Sequence, residues 1–311
     1  MNSMHIGWRD YIKGRFKKAS LFHSIGIEFN TGYLHLSVFK KVNATIVCVK
    51  QHAIPIEFWQ EDLKTYVLEN KLSNTLCNVT LAISKYQLLQ VDTPPVEESE
   101  INSALKWAIK EQLADDSEMV VDYFDPPAAT NSKKLNVVAI AKQEIIDIRN
   151  GVLGADLTLN TIEVQELTIC NLFTNSEDAI ISLQQDPNGQ ISLSIVKQKM
   201  LFFSRRLKGY ENLANFSPDE LKMGIADNLS LEIQRSMDYF ESQLRQAPVK
   251  KVYISVNTKY QDVLVNMIKD VIFVPVEVFT PDIPASDDIV IEASSFASLA
   301  AAMGNMSSQT T

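Results

Sequence analysis

Residues Gly32–Lys41 read GYLHLSVFKK, and Gly189–Gln198, 157 positions later (189 − 32), read GQISLSIVKQ. Aligned without a gap, the two stretches share Gly, Leu, Ser and Lys, and apolar residues replace one another at three further positions. In both stretches apolar and polar residues alternate with the period of a β-strand. Because each copy comes early in its half of the chain, the repeat predicts a duplicated architecture.

Each copy is predicted to be the second strand of a β-hairpin. The first hairpin turns at Asn30, Thr31 and Gly32, where Asn and Gly tolerate positive φ. The second turns at DPNG, residues 186–189. Mixed strands and helices follow each hairpin. We therefore expect an α/β fold whose two similar halves face each other across a cleft, with both turns pointing into it.

The remaining pattern divides the chain into domains. Pro94-Pro95 suits a linker, and an amphipathic helix and the strands MVVDYFD and LNVVAIA follow it. Trp107, on that helix, is expected to pack in a core, and lining a groove for a partner is the alternative. The predicted domains are a basic arm at 1–20, a first domain at 21–175 with an α+β insertion at 92–160, a second domain at 176–304 and a tail at 305–311.

One long helix is predicted over residues 217–244. Ser217 is a good N-cap, and Glu220 completes a capping box with it. A shorter helix, SSFASLAAAMG, is rich in small residues and ends at Gly304. Both helices are assigned to the second half of the chain.

The charge of the chain bears on its possible partners. The net charge of −9 argues against nucleic acid, which needs a broad cationic surface. Residues 1–20 differ, because five basic residues stand there against one acid, interleaved with aromatic side chains. This arm is either a peripheral contact to an anionic membrane or a solvated leader. The three cysteines lack C-x-x-C spacing and are expected to be reduced and mostly buried.

The usual signals of catalysis are missing from the sequence. It has no G-x-x-x-x-G-K-[ST] phosphate loop and no G-x-S-x-G nucleophile elbow. Its four histidines show no metal-ligand spacing and do not cluster with cysteine. We expect no catalytic residue and no metal site, and the chain is not predicted to be an enzyme.

Several stretches together resemble the PilM family of pilus-assembly proteins, which have the actin-like fold of FtsA. They are SIGIEFNTGYLHLSV, ALKWAIKEQL, MVVDYF, LNVVAIAKQEII, FFSRRL and LEIQRSMDYFESQL, and the resemblance covers residues 21–304. It implies an actin-like (ribonuclease H-like, duplicated) two-domain fold with a small inserted subdomain in the first half. Within the family the chain looks most like the MshI branch, which serves the mannose-sensitive haemagglutinin (MSHA) type IV pilus.

The resemblance also implies a function. It indicates a cytoplasmic scaffold, peripheral to the inner membrane, that docks the cytoplasmic tail of a PilN-like bitopic inner-membrane protein. The tail would lie as a peptide in a groove of the first domain and its insertion. An ATP-binding switch or weak ATPase of the actin-like class is the alternative, and an FtsA-like filament former is a third interpretation.

Members of this fold hold ATP between the two hairpin turns, so the residues of these turns bear on the ATP-binding alternative. The first turn reads roughly D-I-G-S-S in the family, and here Asn30, Thr31 and Gly32 follow Glu28-Phe29. Asn30 in place of Gly would crowd a phosphate, although Thr31 keeps a hydroxyl. In the second turn, Asp186 falls two residues late.

The adenosine side has its own candidates. Glu232 and Arg235 have the spacing that relatives use for ribose and adenine, and a surface ion pair is the alternative. The late loop at residues 256–258 has no glycine. The sequence therefore predicts a vestigial cleft with no cofactor, against the alternative of ATP with magnesium.

Overall fold

The computed structural model describes residues 20–112, 118–124, 127, 134–186 and 188–304. The predicted arm, apart from Ser20, and the predicted tail lie outside the described residues. In chain order the strands are β1 (Ser24–Phe29), β2 (Tyr33–Val42), β3 (Thr45–Pro55), β4 (Leu76–Leu81), β5 (Gln87–Asp92), β6 (Met119–Phe124), β7 (Lys134–Ala141), β8 (Thr158–Val164), β9 (Ile180–Gln185), β10 (Ile191–Lys197), β11 (Met200–Leu207), β12 (Lys251–Ser255) and β13 (Val276–Val278). The α-helices are α1 (Trp59–Glu69), α2 (Ile101–Ile109), α3 (Lys142–Gly154), α4 (Gln165–Thr168), α5 (Pro218–Glu220), α6 (Ala226–Ser242), α7 (Gln261–Lys269) and α8 (Phe296–Met303).

Two five-stranded sheets have the same layout. The first has the order β3-β2-β1-β4-β8 and the second the order β11-β10-β9-β12-β13. The first two strands of each sheet, β1 and β2 or β9 and β10, form an antiparallel hairpin. The first strand of each hairpin also pairs in parallel with a later strand, β1 with β4 and β9 with β12. The duplication that the repeated stretch predicts is therefore present strand for strand.

The residues that repeat are those that the two sheets bury. Leu36 and Leu193 are 1% and 0% exposed, and Val38 and Ile195 are fully buried. Burying each such side chain stabilises the fold by roughly 1.5–3 kcal/mol. The repeated serines are also buried, and each contacts another serine hydroxyl, at 2.8 Å for Ser37 and 3.2 Å for Ser194. The repeat therefore reflects the packing of each sheet.

A third, smaller sheet is inserted between β4 and β8. Its order is β5-β7-β6, and α2 covers it through Leu105 and Ile109. Strand β5 begins at Gln87, ahead of the predicted start of the insertion at residue 92. Helix α3 belongs elsewhere, because Ile148 and Val152 pack in the core of the first sheet.

The prediction that Trp107 packs in a core is wrong. Its side chain is 76% exposed, and Lys110 lies 5.4 Å from the centre of its ring. Helix α2 turns Leu105 and Ile109 toward the small sheet, and both are fully buried. A nine-residue helix has one core-facing stripe, and Trp107 is not on it.

The predicted long helix is interrupted. Ser217 accepts a hydrogen bond from the Glu220 N–H, and the Glu220 side chain accepts from the Ser217 N–H, so the capping box is confirmed. At Gly224, however, φ is +108°, and Met223 also leaves the helical region. A regular helix resumes only at Ala226, because glycine allows a left-handed turn at that point.

The last helix crosses back to the first half of the chain. Although the predicted second domain runs to residue 304, α8 packs on β1, β2 and β4 of the first sheet. Ser24 donates to the Ala302 carbonyl at 2.8 Å, and Asn78 donates to the Ala301 carbonyl at 2.9 Å. The small side chains of α8 let its backbone lie directly on the sheet, so the two halves are tied together by their packing.

Candidate functional site at the cleft between the two halves

The two hairpin turns touch each other. The Thr31 hydroxyl donates to the Asn188 side-chain oxygen at 2.7 Å, joining the turn after β1 to the turn after β9. Both turns therefore point into the space between the halves, as the sequence predicts. This direct contact between the two turns lies where a nucleotide-binding member of such a fold would hold phosphates.

The first turn satisfies its own backbone donors. Asn30 is almost fully buried, and its side-chain oxygen accepts the N–H groups of Gly32 at 2.9 Å and Tyr33 at 2.7 Å. Backbone N–H groups in such a turn are what would hold a phosphate. Here the carboxamide oxygen of Asn30 occupies two of them, in addition to the crowding expected from its Cβ.

The second turn and the late loop do the same. The Asp186 carboxylate accepts the Gln190 N–H at 2.8 Å. In the loop after β12, the Val256 N–H is bonded to the Gln261 side chain and the Asn257 N–H to the Gln185 side chain, at 2.9 and 2.8 Å. Side chains of the protein thus take backbone donors in all three loops that border the cleft.

The cleft has a volume of about 570 Å³ and an acidic wall. Three carboxyl side chains line it, those of Glu28, Asp186 and Glu292. Five amide side chains line it as well: Gln165, Gln184, Gln185, Asn257 and Gln261. Its described lining residues include no lysine or arginine. A triphosphate without a bound metal ion would meet negative charge, and no cationic side chain of the described lining would offset it.

Burial strongly affects the two carboxyls nearest the turns. Glu28 is fully enclosed, and burial, with the charge of Asp186 as the second cause, raises the pKa of Glu28 to about 8. Burial also raises the pKa of Asp186, against hydrogen bonds from Gln190 and Asn188 and the charge of Arg206. Near neutral pH, Glu28 is therefore mostly protonated beside Asp186. The sequence alignment placed Asp186 two residues late, but the fold brings it to Glu28.

A buried ionic group lies beside these carboxyls. The Tyr86 hydroxyl donates to the Glu166 carboxylate, which is 2% exposed. The Arg206 guanidinium, from the other half, lies 3.8 Å from Glu166 Oε1 and 5.3 Å from the centre of the Tyr86 ring. Sequence reasoning gave these three residues no role, and the adjacent arginines of FFSRRL were the available signal, since neighbours on a strand point to opposite faces.

Glu232 and Arg235 are not among the described residues that line this cleft. Glu232 pairs with Arg205 at 2.6 Å and with Arg235 at 3.1 Å, and Arg205 also donates to the Ser236 hydroxyl. These contacts fasten α6 to β11. Of the predicted site residues, Asn30, Thr31 and Gly32 are thus at the turn contact, while Glu232 and Arg235 form an ion-pair group elsewhere.

The residues of the cleft do not fit a magnesium nucleotide. Side chains accept several of the loop N–H groups that could hold a phosphate, and the wall is acidic. Among the residues that the structure describes, no group of three or more His, Cys, Asp or Glu side chains could hold a metal ion. All three cysteines are buried and unbonded to one another, as predicted.

Comparison with known proteins identifies the fold. No protein-family model and no curated protein matches the sequence. One similar solved structure is described as a PilM-PilN type IV pilus biogenesis complex. The aligned region covers 90% of this chain and 98% of the chain in that structure, with a TM-score of 0.62 and 14% sequence identity. The cytoplasmic domain of EpsL, an inner-membrane component of the type II secretion system of Vibrio cholerae, matches 89% of this chain and 93% of its own, with a TM-score of 0.50 and 10% identity.

A third match names the fold in words. It is a Bacteroides thetaiotaomicron protein of unknown function with an actin-like ATPase fold, which covers 85% of this chain and 93% of its own, with a TM-score of 0.50 and 10% identity. The fold is therefore α/β, actin-like and two-domain, as the resemblance implied.

Proposed function

We propose that this chain is a cytoplasmic scaffold of a type IV pilus assembly machine, of the MSHA type, and belongs to the PilM family. The similarity of its whole fold to the chain of the PilM-PilN complex is the observation that carries the proposal. The partner would be a PilN-like bitopic inner-membrane protein, whose cytoplasmic tail the scaffold docks. The sequence stretches that resemble the family support the same assignment.

The cleft favours a scaffold over an ATPase. Hydrogen bonds within the protein occupy the loop donors, and the Thr31–Asn188 contact already joins the two turns. The acidic lining opposes a polyphosphate. We infer that the fold has kept its shape for binding a partner while its nucleotide cleft is vestigial and has no hydrolytic role.

The proposed location is the cytoplasmic face of the inner membrane. The EpsL match is described as a cytoplasmic domain of an inner-membrane component, which supports this location. Within the described ranges, no helix is both long and apolar enough to span a bilayer. The basic arm at 1–20, proposed as a peripheral membrane contact, is outside those ranges apart from Ser20.

The decisive experiment is a pull-down from solubilised membranes with the full-length protein as bait. We expect a bitopic inner-membrane protein with a short cytoplasmic tail to be recovered equally with and without ATP and magnesium. A synthetic peptide of that tail should compete with the recovered protein. Recovery that requires ATP, or recovery without any bitopic protein, would contradict the scaffold.

An ATP-binding switch remains the second candidate, and one observation favours it. Two carboxyls, Glu28 and Asp186, meet in a cleft of about 570 Å³ between the halves of an actin-like fold. Calorimetry of the purified protein with ATP and magnesium separates the candidates. The scaffold predicts no tight binding, whereas tight binding that depends on magnesium would support the switch.

A further inference from the structure

Polar side chains from both halves of the molecule meet beside the cleft. Arg206 on β11 reaches Glu166 and Tyr86 of the first half, and Thr31 reaches Asn188 of the second. We propose that these contacts form a clamp that holds the halves closed without a nucleotide, and that ionisation of Glu28 against Asp186 loosens it. The proposal concerns the closure of the molecule and does not depend on the identity of its partner.

Several buried polar atoms of the clamp have no hydrogen-bond partner within the protein. Seven buried side-chain nitrogen or oxygen atoms among the described residues have no hydrogen-bond partner. Five of the seven belong to this region, namely Asn30 Nδ2, Glu166 Oε1, Asp186 Oδ2, Arg206 Nε and Arg206 Nη2. A fully bonded buried network stabilises a closed state strongly, whereas a partly bonded one costs desolvation free energy. Opening would return these atoms to water and recover part of that cost.

Glu28 is the group whose charge sets the balance. Asp186 faces it from the second turn, Glu292 lines the same cleft, and Glu166 lies on α4 with Arg206 opposite. His35 is its partner in register on β2, and burial lowers the pKa of His35, which favours the neutral imidazole. Ionised Glu28 would face the Asp186 carboxylate of the other half, and the repulsion between the two negative charges would oppose closure.

The direction of the pH effect follows from the two states. In the closed state the pKa of the Glu28 carboxyl is about 8, so the carboxyl keeps its proton up to about that pH. In a solvated open state its pKa would be near the ordinary value of 4.5. Between these values the open state releases the proton and the closed state does not. The ratio of open to closed molecules should therefore rise by up to about tenfold per pH unit and level off above about pH 8.

Single-molecule fluorescence energy transfer can measure this ratio on the full chain. Leu68→Cys on α1 and Met223→Cys in the second half place dyes on side chains that are 74% and 84% exposed. The native cysteines are buried, so labelling would be selective. The doubly labelled protein would be followed from pH 6 to pH 9, with circular dichroism to confirm that each variant is folded.

Three variants decide the outcome. Glu28→Gln keeps the shape of the protonated side chain, so it should stay closed at every pH, while Glu292→Gln is the matched control in the same cleft and should follow the wild type. Arg206→Gln should raise the open fraction at every pH. A wild-type ratio that does not change with pH, or a Glu28→Gln ratio that changes as the wild type does, would overturn the proposal.

Discussion

At the residue scale, buried polar side chains beside the cleft rely on few hydrogen-bond partners, so the loss of one partner should lower stability. The Tyr86 hydroxyl is the hydrogen-bond donor to the Glu166 carboxylate, and both side chains are buried. Tyr86→Phe removes that donor and leaves the buried acceptor with less compensation, which should lower the free energy of unfolding by about 1–3 kcal/mol. Chemical denaturation would measure the loss.

The control for this change is Tyr33→Phe. Tyr33 is 51% exposed, and the same hydroxyl is removed without a buried partner being affected. Its stability should stay within about 0.5 kcal/mol of the wild type. Equal effects of the two substitutions would show that the bond between Tyr86 and Glu166 contributes nothing specific.

Glu28 makes stability depend on pH in a direction opposite to that of a salt-bridged acid. Its pKa is raised by burial from 4.5 to about 8, so the unfolded chain loses the proton first as the pH rises. The contribution of Glu28 to the free energy of unfolding is therefore fully present below about pH 4.5. It is lost progressively as the pH rises to about 8. A shift of this size corresponds to roughly 5 kcal/mol at most.

Glu28→Gln should remove this dependence. The variant should unfold at a higher denaturant concentration than the wild type at pH 9, and the difference should shrink as the pH is lowered toward 5. Paired urea titrations at pH 5, 7 and 9 would show it. A difference that stays constant with pH would mean that Glu28 does not titrate as its burial implies.

How far the sequence could predict the site differs from residue to residue. The sequence predicts Asn30 as the unusual residue of the first turn, because a short turn is a local feature. Arg206 and Tyr86 were not identified, because they meet only after the two halves have packed together. Glu232 and Arg235 have the spacing of a ligand pair, but the same spacing is found in an ion pair on a helix, which is what the structure contains.

At the element scale, the approach of α8 to β1 depends on the absence of a side chain at Gly26. A Cβ built there would lie 1.9 Å from the Ser298 carbonyl oxygen and 2.3 Å from the Ala302 backbone nitrogen. Both obstacles are backbone atoms, so the helix itself would have to move. Gly26→Ala should destabilise the protein by about 3 kcal/mol or more, and thermal or chemical unfolding would measure this.

Gly154 provides the matched control on another element. A Cβ at that position, the last residue of α3, would meet no atom within 4 Å. Gly154→Ala should be neutral, or stabilising by up to about 1 kcal/mol, because alanine is the better helix former. Comparable losses in both variants would refute the close approach at Gly26.

Periodicity predicted elements better than their ends and partners. The hairpins follow from strict alternation, which reports burial directly. The sequence pattern does not predict strand β5, because this strand immediately precedes the prolines that indicate a linker. The break at Gly224 was missed since the apolar stripe continues through it, and only the φ of that residue reveals the turn. The sequence also offers no signal that α8 packs on the first sheet, because that contact joins residues more than 200 positions apart.

At the scale of the whole molecule, the two halves should fold as one cooperative unit. Helix α8, at the end of the described chain, completes the first sheet, and a hydrophobic cluster that includes Phe39, Val196 and Leu299 draws on both halves. We expect a single unfolding transition, coincident by fluorescence and by circular dichroism. Two separated transitions would show that the halves are independent.

A truncated chain tests this dependence directly. Residues 1–292 lack α8, so the first sheet would expose the surface around Gly26, Ser24 and Ser37 that α8 normally covers. We expect this fragment to lose its cooperative transition although both hairpins are intact, because a domain is stable by only about 5–15 kcal/mol and α8 contributes buried packing and hydrogen bonds to the first sheet. Adding a peptide of residues 293–304 should restore the transition. The same peptide with Ala302→Leu should not, since the Ala302 side chain is fully buried and its backbone lies against Gly26. Cooperative unfolding of the fragment alone would instead show that the first half is complete without α8.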